Sequence, residues 1–172
     1  HALLPSYLHH CHPAPPLDVL YVATSPAFEQ AYREVAALFG GADIHLHREQ
    51  VFAADVPRLL RARACEGVFF LVDDIVFLRP VDFVALAAWP LGQYVPSLRL
   101  GPQVNRSWFF DRAMQVPALR PVDARGGLLS WNYAAGDGTL DWTFPISLDG
   151  DVLVRAELLE MLRHVGFKAP NS

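Results

Sequence analysis

The sequence predicts an α/β fold with a mainly parallel central sheet and helices packed on its faces, and three observations predict it. Short apolar runs alternate with amphipathic stretches between Leu17 and Val72, in the order strand, helix, strand, helix, strand. The run from Gly67 to Val72 is apolar throughout, as in a strand covered on both sides. The chain is 172 residues long and 52% hydrophobic, one domain's worth with enough apolar side chain for a sizeable core.

Residues 1–16 carry His9, His10, Cys11 and His12 followed by Pro13, Pro15 and Pro16, which reads as an irregular or helical lead-in. Leu17 to Ala23 is β-rich. Ser25-Pro26 then places a capping hydroxyl before a proline at the first helical position. Phe28, Tyr32, Val35, Ala36 and Phe39 recur on one helical face, and Gly40-Gly41 closes that helix. Ile44 and Leu46 alternate with His45 and His47, as in a strand, and Val56 to Cys65 reads as a second helix. After Pro80 a short helix runs from Phe83 to Ala88. Leu128 to Ala134 and Thr139 to Phe144 flank Gly136-Asp137-Gly138, which predicts a hairpin. Ala156 to Val165 is a last amphipathic helix that stops at Gly166. The organisation is a single domain over 1–172, with residues 17–80 as a ligand-binding half and 81–172 as a second half of different texture.

The net charge of −4 is mild and the Lys and Arg residues are scattered, which excludes a nucleic-acid groove, since such grooves cluster cations against phosphates. An anionic ligand must be held locally. Cys11 and Cys65 are too few for a disulfide framework and point to a reducing, cytoplasmic setting. The apolar runs are far short of a bilayer span. The chain opens at His1 without the charged start and apolar core of a signal peptide, and reads as part of something longer or as carrying the last residue of a tag.

In Phe69-Phe70-Leu71-Val72-Asp73-Asp74-Ile75-Val76-Phe77 two adjacent carboxylates interrupt an apolar run. Burying ionised carboxylates is costly unless something pairs with them. A divalent cation bridging to a diphosphate uses both; the plainer reading has them capping a turn or pairing with Arg79.

This segment resembles the end of the central strand in GT-A glycosyltransferases of the bacterial family 2 type, where an Asp-x-Asp or Asp-Asp-x signature follows a run such as Phe-Leu-Val. Residues 17–25 resemble the family's second strand with its terminal small polar residues, Thr24 and Ser25, and residues 142–150 resemble its acceptor-side segment. Pro170-Asn171 resembles a short motif after its helix. The resemblance implies a GT-A-like, Rossmann-like α/β/α sandwich and a transferase that moves a sugar from a nucleotide-diphosphate donor to a hydroxyl acceptor, inverting and metal-assisted. It further implies that Asp73 and Asp74 hold a manganese or magnesium ion and the donor. Ile75 stands where many members have a third acid, so either Asp74 is the sole direct metal ligand or the metal is held partly through water.

An inverting transferase needs a carboxylate within hydrogen-bond reach of the attacking hydroxyl. Of Asp137, Asp141, Asp149 and Asp151, Asp149 in the Ser147-Leu148-Asp149-Gly150 turn is the first choice and Asp141, beside Trp142, the second; turn formation alone also accounts for an Asp before Gly. Arg99 fits a phosphate or sugar hydroxyl, or a structural salt bridge. Trp131 and Trp142 are candidate acceptor platforms, with Trp108 a third aromatic of the same kind, although large aromatics are more often core. The His9-His10-Cys11-His12 cluster has no second ligand pair and reads as a surface segment.

Two alternatives stand beside the transferase: a nucleotidyltransferase of related fold, for which the glycine-rich basic loop is missing, and a noncatalytic nucleotide- or carbohydrate-binding domain. Counting back from Asp73, only three strand candidates precede the signature, where the resembled family has four. The opening strand is therefore expected to be absent, residues 2–10 to be the tail of the helix after it, and the exposed sheet edge to support a homo-oligomer.

Overall fold

The computed structural model describes residues 2–122, 128–144 and 146–169. Helix α1, Leu3–His10, leads into a two-residue strand β1, Cys11–His12, and then β2, Leu17–Tyr21. Helix α2, Pro26–Leu38, starts as the sequence indicates: Ser25 is its N-cap, its hydroxyl accepting from Phe28 N at 3.3 Å, and Pro26 takes the first helical position. Strand β3, Ile44–Arg48, pairs parallel with β2. Tyr21 of β2 stacks on Tyr32 of α2 with ring centroids 4.0 Å apart, which fixes α2 on one face of the pair.

Helix α3, Phe52–Ala62, begins a turn earlier than Val56, because the Asp55 carboxylate gathers the free amides of Gln50 and Val51 at its start. Strand β4 follows as Gly67–Phe69, then β5, Val81–Asp82, and α4, Phe83–Ala87, capped by Asp82. Short hairpins come next: β6, Arg106–Ser107, with β7, Arg112–Ala113, and β8, Arg120–Pro121, with β9, Leu129–Ser130. Two 3-10 turns, Tyr133–Ala135 and Leu140–Thr143, precede β10, Val152–Val154, and α5, Arg155–His164.

The chain is thus a mixed α/β structure. Among the described residues its strands pair two at a time, β1 with β5 and β2 with β3 in parallel, and β4 with β10 antiparallel. Two expectations are corrected. Only Gly67–Phe69 of the run to Val72 lies in a ladder, and its partner runs antiparallel. Beyond Phe70 the chain turns, and Leu71 and Ile75 pack instead against a core of Tyr7, Cys11 and Phe77 under α1. The hairpin expected around Gly136-Asp137-Gly138 is also absent. Gly136, at φ 66°, ends a 3-10 turn capped by Asn132, and Asp137 and Thr139 turn away to accept from Ala118 N at 2.9 Å and Gln115 N at 2.8 Å. A second core, Leu60, Leu153 and Leu158, joins α3, β10 and α5.

The histidine-rich lead-in is not wholly a surface segment. Cys11 is fully buried, and burial pushes its thiol up to about 11. Ser6 Oγ accepts from Phe77 N at 3.0 Å, so α1 is clamped to the segment that follows Asp73 and Asp74.

Candidate functional site

Three chain segments meet beyond the end of β4. Strand β10 lies against it with Val152 opposite Phe69. On the other side of β10, Ser97 forms an antiparallel bridge with Asp151, with Leu98 N donating to Gly150 O at 3.1 Å and Val152 N to Pro96 O at 2.8 Å. Gly150 N donates to Phe70 O at 3.0 Å. Gly150 therefore ties both neighbours together, and it does so at φ 88°, a left-handed conformation that a side chain disfavours. Because β4 and β10 are antiparallel, the turn entering Gly150 and the turn leaving Val72 emerge at the same end.

Those turns carry the predicted acids. Asp73 and Asp74 are exposed in a turn closed by Ile75 N to Val72 O at 3.2 Å. Neither carboxylate has a hydrogen bond or ion pair among the described residues, and Arg79 does not reach them. Asp149 is half-buried and held by Ser147, whose hydroxyl donates to Oδ2 at 3.0 Å and accepts from Asp149 N at 3.1 Å. The Asp149-Gly150 turn is thus a built turn whose carboxylate has no partner for its second oxygen among the described residues.

Asp151, on the far side of Gly150, is only 2% exposed and its Oδ1 has no hydrogen-bond partner among the described residues. Burial raises its pKa above the ordinary carboxylate value, although Ser97 and the positive charge of Arg99 pull the other way. Arg99 is half-buried with its own Nε buried and unpartnered, and it forms no ion pair at contact distance among the described residues. Asp149, Asp151 and Arg99 therefore lie together, since Asp151 feels the charges of the other two, and the Asp73-Asp74 turn follows β4 at the same end of the pair. Sequence reasoning noted Asp151 within an acidic cluster but did not single it out; the available signal was an acid placed directly before the apolar Val152-Leu153-Val154.

The other candidates lie elsewhere. Ser25 is occupied as the cap of α2, and exposed Thr24 precedes it in the loop that follows β2; no ladder among the described residues joins β2 to β4. Asp141 is half-buried in a 3-10 turn directly after Leu140, whose φ of 52° is strained for a branched residue. Trp142 is 2% exposed, donates Nε1–H to Val104 O at 2.9 Å and meets Trp131 edge-to-face at 5.0 Å. A stacking role would require Trp142 to leave that seat, whereas half-buried Trp131 retains some surface. Pro170 and Asn171 lie outside the described residues.

Among the described residues no group of three or more His, Cys, Asp or Glu side chains is arranged to hold a metal ion, and no helix is long and apolar enough to cross a membrane. No family model, curated protein or solved structure matches the chain.

Proposed function

We propose that the chain is a catalytic core of a GT-A-like glycosyltransferase that moves a sugar from a nucleoside-diphosphate donor to a hydroxyl acceptor. The observation that carries this reading is that the unpartnered Asp73-Asp74 turn and the Ser147-supported Asp149 turn belong to the same end of the antiparallel β4–β10 pair, where Gly150 N bonds Phe70 O. Asp73 and Asp74 fit a divalent ion of the magnesium or manganese type, which is commonly held by one or two carboxylates with substrate phosphates completing the shell. When bound, such an ion neutralises the diphosphate leaving group.

The chain's own residues do the rest. Asp149 accepts the proton of the acceptor hydroxyl as its oxygen bonds to the anomeric carbon, while the bond from that carbon to the diphosphate oxygen breaks. Ser147 fixes the carboxylate for this task. The unpartnered Nε of Arg99, beside Asp151, supports a role for this side chain in binding a phosphate or sugar oxygen. Thr24, in the loop after β2, serves the donor side in this reading, and half-buried Trp131 offers the acceptor an aromatic surface.

Binding tests this directly. Uridine or guanosine diphosphate with manganese should raise the melting temperature, since a ligand that binds only the folded state stabilises it, and Asp74→Asn should weaken the shift. Absence of both thermal shift and calorimetric heat across nucleoside diphosphates with metal would remove the donor role of this turn.

A further inference from the structure

The β6–β7 hairpin holds the most exposed aromatic surface of the described chain. Its four-residue tip, Trp108-Phe109-Phe110-Asp111, leaves Trp108 95%, Phe109 85% and Phe110 47% exposed. The tip is built and held. Asp111 takes a left-handed φ of 48°, its amide donates to Trp108 O at 3.4 Å, and Arg106 clasps it through Nη2 to Asp111 O at 3.0 Å and Nε to Oδ1 at 3.1 Å. The Phe109 and Phe110 rings meet edge-to-face at 4.9 Å, and the hairpin base is anchored by buried Ser107 and Met114.

Large aromatics displayed this way mark an interaction site. The shape and charge of the tip choose among partners. Trp108 and Phe109 stand almost clear of the rest of the chain, as side chains that insert into a yielding medium do. Arg106 is paired with Asp111, which leaves Arg112, without an ion pair among the described residues, as the open positive charge beside the rings in a chain whose net charge is −4. Tryptophan and phenylalanine rings next to an unpaired arginine match the interface of a bilayer carrying anionic headgroups. We propose that the Trp108–Asp111 tip docks the protein on an anionic membrane surface by inserting its aromatic rings at headgroup level.

Vesicles of phosphatidylcholine with and without phosphatidylglycerol, a fraction of them brominated, provide the test. The intact protein should sediment with anionic vesicles, with quenched and blue-shifted tryptophan fluorescence. Trp108→Phe should keep sedimentation and lose most of the quenching. Trp108→Ala with Phe109→Ala should weaken binding by more than roughly tenfold, and Arg112→Ser by about fivefold on anionic vesicles only. Because all three side chains are exposed, melting temperatures should stay close to that of the parent and separate lost binding from lost folding. No sedimentation with either vesicle, equal sedimentation of the double alanine variant, or tip-dependent self-association without lipid would overturn the proposal.

Discussion

Around β2, β3 and α3 the acids Asp18 and Asp55 are occupied. Asp18 accepts from Arg63 Nε at 2.7 Å and Nη2 at 2.8 Å and pairs with His47 Nε2 at 2.8 Å; the Arg63 hydrogen bond is the main reason its pKa is lowered. Asp55 is held down to about 2, chiefly by the Gln50 amide, then by Arg58 and the Val51 amide. At the far end of β4 the pattern reverses: Asp73 and Asp74 have no partner among the described residues, and Asp151 is buried with an oxygen unsatisfied. Carboxylates that satisfy donors hold a fold together. A buried carboxylate left unsatisfied, such as Asp151, weakens it, whereas exposed and unpaired carboxylates such as Asp73 and Asp74 cost the fold nothing and stay available to a ligand.

Substitutions can break or sharpen this contrast. Asp18→Asn should have the largest effect, destabilising the protein at neutral pH by about 2 kcal/mol, because it strips a charged acceptor from Arg63 and His47. The sign of its pH dependence follows from the lowered pKa. The contribution is complete above the ordinary carboxylate value of about 3.9 and disappears as pH falls through the lowered folded-state value, so parent and variant should converge in acid. Urea unfolding at several pH values measures this, and a constant gap down to strong acid would contradict the pairing.

Asp151→Asn should act in the opposite direction. A raised folded-state pKa means that stability falls as pH climbs from the ordinary carboxylate value through the raised one. Removing the charge should therefore raise the melting temperature at neutral pH and make no difference below the ordinary value. A variant that melts lower at neutral pH would show that the carboxylate is satisfied after all. The smallest effect belongs to Asp74→Asn, whose exposed side chain holds nothing; its stability should stay within about 0.5 kcal/mol of the parent, and a larger loss would place Asp74 among the structural acids.

Much of the first half is legible because its signals are local. The Ser25-Pro26 cap, the Tyr32-Val35-Phe39 stripe and the His45/His47 alternation each lie within one element, and α2 and β3 form where they point. The misread parts depend on distant partners. Nothing near Gly67 says that β4 will pair antiparallel with Val152–Val154, far along the chain. Gly136-Asp137-Gly138 has hairpin chemistry, yet Asp137 and Thr139 are drawn to amides at Ala118 and Gln115. In the site, Asp73, Asp74 and Asp149 announce themselves as acids in apolar or turn contexts, whereas the burial of Asp151 depends on a tertiary pairing, the bridge from Ser97. Trp142 shows the same limit, since burial against Trp131 and a bond to Val104 decide its place.

The most direct measurement is release of free nucleoside diphosphate from a panel of nucleotide sugars with manganese, comparing the parent protein with Asp149→Asn. The parent should release nucleoside diphosphate from at least one donor. Turnover should fall by at least about 100-fold in the variant, with donor affinity little changed because the amide keeps the shape of the turn. No release from any donor, or equal turnover in the variant, would contradict the transferase reading.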